Sequence, residues 1–322
     1  MGSDRPDAAI DPPGHPDDSD RWRHDTAHVN GVTIHYVSVE PDPAAVDHPT
    51  GDAPLVVLLH GFPEFWYAWR HQLDPLADAG FRVVAPDLRG YNRSSAPEGV
   101  DSYRPAELVG DVRGLVEHLG YARAAVVGHD CGGLVAWESA IRDPEMVSQL
   151  VVLNAPHPAV YRRALRRSPE QLARSWYVLA VQVPWLPERL LEAGEYRLVA
   201  SMLADTATPD AFTEADVRRY RAAMARSESL SAPLNYYRAA ARDTLGRGLR
   251  SLLPGTETRD ESVRVPTLVI WGERDRALST DLLDGLDAWV PELRVERLPA
   301  ASHWVQADEP ERVTELLLDE LA

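Results

Sequence analysis

Several residues able to cooperate in nucleophilic hydrolysis stand at the ends of short apolar runs in this chain. The sharpest group is Gly128-His129-Asp130-Cys131-Gly132-Gly133, which follows the apolar run Ala124 to Val127 and precedes a helical pattern. Small residues at 128, 132 and 133 permit a tight strand-to-helix turn that would display residue 130. A carboxylate displayed there can attack carbon and form an ester. The alternative is that Asp130 only caps the helix. His60-Gly61-Phe62-Pro63 closes an earlier run. The amides of Phe62 and of Cys131, the residue after the candidate nucleophile, would then form an oxyanion hole; otherwise the segment is a plain Gly-Pro turn. Asp275, in Trp271-Gly-Glu-Arg-Asp, and His303, in Ala301-Ser-His-Trp, each follow a late run. A neutral imidazole at His303 can take a proton from water while Asp275 fixes its tautomer and stabilises its cation. Glu273 is a rival acid, ranked second because it comes earlier in the turn. His60, His129 and His157 are read as structural.

Positioning such groups needs strands that end at a common edge. Leu55 to Leu59, Arg82 to Ala85, Ala124 to Val127, Gln149 to Leu153, Thr267 to Trp271 and Arg294 to Leu298 read as strands. Short apolar runs separated by amphipathic helices predict a mostly parallel, eight-stranded sheet buried on both faces, an α/β fold. Asn30-Gly31 supplies the positive φ angles of a hairpin ahead of it. Pro105 to Leu119 has helical spacing, with Leu108, Val112, Leu115, Val116 and Leu119 on one side, and a final helix is expected over Glu309 to Leu321. Between the sixth and seventh strands the rhythm turns wholly helical. The expected organisation is a disordered acidic tail (1–20), a core (21–155 and 263–322) and an inserted helical lid (156–262).

The 322 residues carry 44% hydrophobic and 26% charged side chains, ordinary for a soluble globular protein, but a formal net charge of −17. That field disfavours nucleic acid and anionic membranes. Every basic side chain besides histidine is Arg, which fits a GC-rich genome or a salt-adapted surface equally. The single cysteine, Cys131, excludes an intramolecular disulfide and a Cys-rich zinc site. No basic start followed by an apolar stretch opens the chain, so no signal peptide is expected. The most apolar segment, Trp176 to Pro187, is too short to span a bilayer and is interrupted by Gln182 and Pro184. A soluble, cytoplasmic protein is the expectation, and these features do not specify its oligomeric state.

Taken in order, the motifs resemble those of the epoxide hydrolases of the α/β-hydrolase fold superfamily. The resemblance runs over about residues 25 to 320, through HGFPEFWYAWR (60–70), DLRGYNRS (87–94), GHDCGG (128–133), LNAPHP (153–158), WGERDRALS (271–279) and SHWVQADEPERV (302–313). The segments SWYVLAVQVPWLPE (175–188) and LNYYR (234–238) resemble those that carry the family's two catalytic tyrosines, which would fall on Tyr177 and Tyr237. Tyr236 would be pocket wall, and Trp66 and Trp176 would add to an apolar, aromatic substrate site. Amphipathic packing of the lid underside is the alternative role for the tyrosines. The chain departs from the family at Cys131, where Trp is common. The amide survives that change, but a bulky pocket floor is lost.

The resemblance implies a small-molecule epoxide as substrate and requires no cofactor or metal. Asp130 would open the ring to form an ester while Tyr177 and Tyr237 protonate the alkoxide, and water activated by His303 and Asp275 would release a vicinal diol. Two alternatives stand beside it. A haloacid or haloalkane dehalogenase would use the same Asp nucleophile. Those enzymes hold halide or carboxylate with a Trp or Arg just after the nucleophile, where this chain has Cys-Gly-Gly-Leu-Val. A non-catalytic ligand-binding protein of the same fold would need no intact set of these residues.

Overall fold

The structure, a computed structural model, describes residues 19–41, 53–250 and 259–322. The expected acidic tail lies almost wholly outside the described residues. Eight strands form one sheet: β1 (Arg23–Val29), β2 (Val32–Val39), β3 (Leu55–Leu59), β4 (Arg82–Pro86), β5 (Ala124–His129), β6 (Val147–Leu153), β7 (Thr267–Gly272) and β8 (Leu293–Leu298). Their order across the sheet is β1-β2-β4-β3-β5-β6-β7-β8. The first two pairings, β1 with β2 and β2 with β4, are antiparallel; the rest are parallel. The hairpin between β1 and β2 turns on Asn30 (φ 46°) and Gly31 (φ 75°), both in the left-handed region.

Eleven helices are described: α1 (Leu73–Asp78), α2 (Pro105–His118), α3 (Asp130–Arg142), α4 (Pro158–Arg167), α5 (Pro169–Arg174), α6 (Trp176–Ala180), α7 (Leu186–Leu203), α8 (Glu214–Arg226), α9 (Ser231–Arg250), α10 (Val305–Asp308) and α11 (Pro310–Leu321). Six of them, α4 to α9, lie between β6 and β7. The backbone of α7 leaves helical geometry at Ala193 to Tyr196, three of whose residues have positive φ.

Continuous apolar strands are what a sheet covered on both faces demands. β3 is buried throughout, with Leu55, Val57 and Leu59 in one core cluster and Val56 and Leu58 in the other. Pleating sends alternate side chains to opposite faces, so one five-residue run feeds two cores. The spacing read in α2 buries Leu108, Val112, Leu115 and Val116, and Leu119 packs against the same cluster. β8 obeys a different rule. Its sequence LRVERL is mostly half-buried, because it lies at the sheet edge where charged side chains reach solvent. Among the described residues no helix is long and apolar enough to cross a membrane.

Candidate active site

Asp130 opens α3 directly after β5, with φ 47°, left-handed and unusual for a residue with a Cβ. Backbone in that region costs on the order of 1–3 kcal/mol and persists only where its surroundings fix it. The surroundings here are glycines under close approach. A Cβ on Gly132 would stand 2.3 Å from the Leu59 carbonyl oxygen, and one on Gly128 2.4 Å from that of Gly132. The turn can therefore be this tight only without those side chains. Asp130 does not cap α3: His129 precedes the helix without a side-chain cap, and the Asp130 carboxylate turns to another loop. Its Oδ2 accepts a hydrogen bond from the Phe62 amide at 2.9 Å. Of the two amides expected in the oxyanion hole, only that of Phe62 makes this contact.

His303 stands on the other side of the carboxylate, its Nε2 3.9 Å from Asp130 Oδ1. Its Nδ1 meets Asp275 Oδ2 at 2.6 Å. Asp275 is fully enclosed and hydrogen-bonded on both oxygens. Asn154 Nδ2 donates to Oδ2 at 2.7 Å, and the amides of Ala277 and Leu278 donate to Oδ1. Burial alone would raise its pKa, but the imidazole beside it and these donors hold it below the ordinary carboxylate value. For His303, burial works to lower the pKa. The Asp275 charge and hydrogen bond outweigh it, with Asp130 and Glu64 adding to them, and the pKa is raised to about 9. Glu273, the rival acid, pairs instead with Arg297 at 2.5 Å on the surface.

Tyr177 lies on α6 and Tyr237 on α9, their rings edge to face with centroids 5.9 Å apart. The Phe62 ring meets Tyr237 in the same way, also at 5.9 Å. Both residues are part-buried. Burial raises both pKa values well above the ordinary phenol value, and the Asp130 charge acts in the same direction. Both phenols therefore keep their protons at neutral pH. The structure thus puts Asp130, His303 and Asp275 in sequence, with Tyr177 and Tyr237 paired near enough for the Asp130 charge to act on both.

The three expected pocket residues differ in their surroundings. Trp176 is 68% exposed, one residue before Tyr177 on α6. Trp66 is buried among Trp22, His24, Phe65 and Tyr67, next to the β1 edge, where its ring joins a core cluster. Tyr236 packs on Tyr91 and Tyr103 and donates its hydroxyl to the Arg89 carbonyl at 2.9 Å, tying α9 to the core. The three histidines read as structural have such partners. His60 accepts from the Leu88 amide, His157 from that of Ala159, and His129 sits between Glu64 Oε2 and the His303 carbonyl.

Glu64 and Asn154 were not singled out. Glu64 is buried behind the site, where it accepts from the Gly61 amide and from Gln306 Nε2. Both residues stand inside stretches that carry the resemblance, HGFPEFWYAWR and LNAPHP, and that position was the available signal. Among the described residues no cluster of His, Cys, Asp and Glu could hold a metal ion.

A family model described as the alpha/beta hydrolase fold matches residues 54–310. The AB hydrolase superfamily protein YfhM of Bacillus subtilis is 39% identical over 293 residues, 91% of this chain and 96% of that one. Epoxide hydrolase 3 of Xenopus tropicalis is 36% identical over 298 residues, 90% of this chain and 75% of the relative. Among solved structures, the Bacillus megaterium epoxide hydrolase in complex with an inhibitor is similar, with a TM-score of 0.79 at 32% identity. That match covers 92% of this chain and 99% of the other.

Proposed function

Because this chain belongs to the epoxide hydrolases of the α/β-hydrolase fold, we propose that it converts an epoxide to a vicinal diol through a covalent ester on Asp130. The observation that carries this reading is the Asp130 carboxylate beside the His303 imidazole, itself bound to Asp275, with the paired rings of Tyr177 and Tyr237 and that of Phe62 next to them. One carboxylate oxygen, Oδ2, is engaged by the Phe62 amide, which leaves Oδ1 to attack a ring carbon. As the C–O bond of the ring breaks, Tyr177 and Tyr237 donate to the leaving oxygen, and one phenol proton passes to the alkoxide. The product of this step is a hydroxyalkyl ester.

Ester formation removes the negative charge of Asp130, one of the influences that keep His303 protonated. The imidazole is thereby shifted toward its neutral form when a base is needed, and it returns a proton to the phenol through the site. Neutral His303, held by Asp275, then takes a proton from water. The hydroxide attacks the ester carbonyl carbon, and the carbonyl oxygen develops charge where the Phe62 amide already points. A donor of this kind is worth about 3 kcal/mol in comparable sites. The Cys131 amide, one residue along the helix start, is the second donor, since such bonds often tighten only during reaction. The bond between the Asp130 carbonyl carbon and Oδ1 then breaks, and the departing alkoxide takes the proton of the newly formed carboxyl group. The diol leaves with Oδ1, while Asp130 is again a carboxylate and His303 is protonated.

Release of halide by the same Asp attack needs a donor for a departing anion. The paired phenols suit an oxygen that stays on the substrate and must be protonated there. The Asp130→Ala protein should form no diol from any epoxide, and retained turnover would refute the assignment.

A further inference from the structure

Tyr177 and Tyr237 sit on different helices, and Arg238 joins those helices by hydrogen bonds. Its Nε donates to the Val181 carbonyl at 2.9 Å and its Nη2 to that of Val183 at 3.4 Å. Val181 is the residue that closes α6, and its own amide donates back to the Tyr177 carbonyl at 2.9 Å. Through Nη1, Arg238 also meets Glu188 Oε1, at the start of α7, at 2.8 Å, and Asn235 Oδ1 at 3.3 Å. Glu188 Oε1 in turn accepts from the Ser231 hydroxyl, at the start of α9, at 2.7 Å.

Arg238 and Glu188 are only 11% and 17% exposed at their side chains, so this is no solvent-screened surface pair. Burial would raise the Glu188 pKa, but the hydrogen bonds from Arg238 and Ser231 hold it low, so the carboxylate stays charged opposite the guanidinium. Beneath the fork, Val181, Leu191 and Leu234 form a small apolar cluster against which Phe62 and Tyr237 pack. The guanidinium therefore reaches the end of one phenol-bearing helix from the backbone position next to the other phenol.

We infer that Arg238 is a positioning residue for ring opening, the group that sets the spacing of the Tyr177 and Tyr237 phenols by fastening the end of α6 to α9. The inference rests on the proposed role of the two tyrosines. Several donors in one planar fork are what it uses, and the single ammonium of a lysine cannot span the same set of acceptors. The phenols act only while the ring opens, so loss of the fork slows ester formation and spares ester hydrolysis, which depends on His303, Asp275 and the Phe62 amide.

The test separates the two half-reactions. Wild type, Arg238→Met, Arg238→Lys, Glu188→Gln, Tyr177→Phe and Tyr237→Phe are mixed with excess styrene oxide. Samples are quenched on the millisecond scale, and the Asp130 ester is followed by mass spectrometry. Arg238→Met is expected to slow ester formation by about tenfold or more while leaving the ester hydrolysis rate within about twofold. Arg238→Lys should recover only part of that loss, and Glu188→Gln should show a smaller loss in the same step. Partial unfolding would lower amplitudes without changing rate constants. If Arg238→Met folds poorly, Arg238→Lys and Glu188→Gln decide alone. Unchanged ester formation in the Arg238 variants, with slowed formation in the tyrosine variants, overturns the inference and leaves the tyrosine assignment standing. Equal slowing of both half-reactions also overturns it. Unchanged ester formation in both tyrosine variants removes the assignment and the inference together.

Discussion

The site is assembled from two regions that hold their side chains in different ways. Asp130, Asp275 and His303 stand on turns just past β5, β7 and β8, where backbone contacts leave little freedom. Gly132 packs against the carbonyls of Leu59 and His60, and Asp275 is gripped by two amides and Asn154. Tyr177 and Tyr237 stand on an all-helical insertion joined to the core by apolar packing and by side-chain hydrogen bonds. Arg174 on α5 donates to the Asp275 carbonyl at 2.6 Å, Gln171 to that of Ala277 at 3.1 Å, and Tyr236 to that of Arg89. The charged groups thus sit where geometry is set by the sheet, and the neutral donors where it is set by replaceable contacts. Placing charges on the stiffer part has a physical reason. A charge displaced by an ångström changes its interaction energy more than a neutral donor does, and it does so in a partly desolvated site.

This contrast can be broken at its charged end first. His303→Gln should stop ester hydrolysis while allowing ring opening, cutting turnover by 10²- to 10⁴-fold on the order expected for loss of a general base. Steady-state rates alongside intact mass would check it, because ester should accumulate. Removing one phenol should cost less: Tyr177→Phe or Tyr237→Phe is expected to slow turnover by about ten- to a hundredfold, since the partner phenol remains.

A finer test concerns charge coupling within the sheet-borne group. Asp130→Asn keeps the shape but removes a charge that raises the His303 pKa, so that pKa should fall from its value of about 9, as read by NMR titration. The sign for stability follows. His303 has a folded pKa above its unfolded value of 6.5, so its contribution is fully present below about pH 6.5 and is lost as pH rises through about 9. Thermal unfolding across that window should lose stability toward high pH, and less so in Asp130→Asn. The smallest effect belongs to the outer face of the insertion. Trp176→Ser should leave kcat/KM within about twofold and stability within about 0.5 kcal/mol, because this indole is exposed.

What the sequence disclosed follows the same division. Strands such as Leu55–Leu59 were legible because double-sided burial demands an unbroken apolar run, and Asp130 because Gly128, Gly132 and Gly133 admit only a tight turn. The insertion was legible as helical but not in its facing. α6 has five residues, too few for periodicity to say which side meets the sheet, and of the neighbours Trp176 and Tyr177 the first is exposed and the second part-buried. Trp66 lies inside the HGFPEFWYAWR motif and starts a short 3-10 turn, Trp66–Trp69, whose residues are all buried. The break in α7 at Ala193 to Tyr196 has Gly194 as its only local cue. Arg238 was visible only as part of a motif, since its partners lie some fifty residues away in the chain.

The central claim is that the oxygen delivered to the substrate comes from Asp130 and not directly from water. A single turnover with enzyme in excess, run in heavy-oxygen water, tests it. The account predicts that the first diol carries only light oxygen and that the heavy label appears in the Asp130 carboxylate of the digested protein. A first-turnover diol bearing the heavy oxygen, with Asp130 unlabelled, would contradict it.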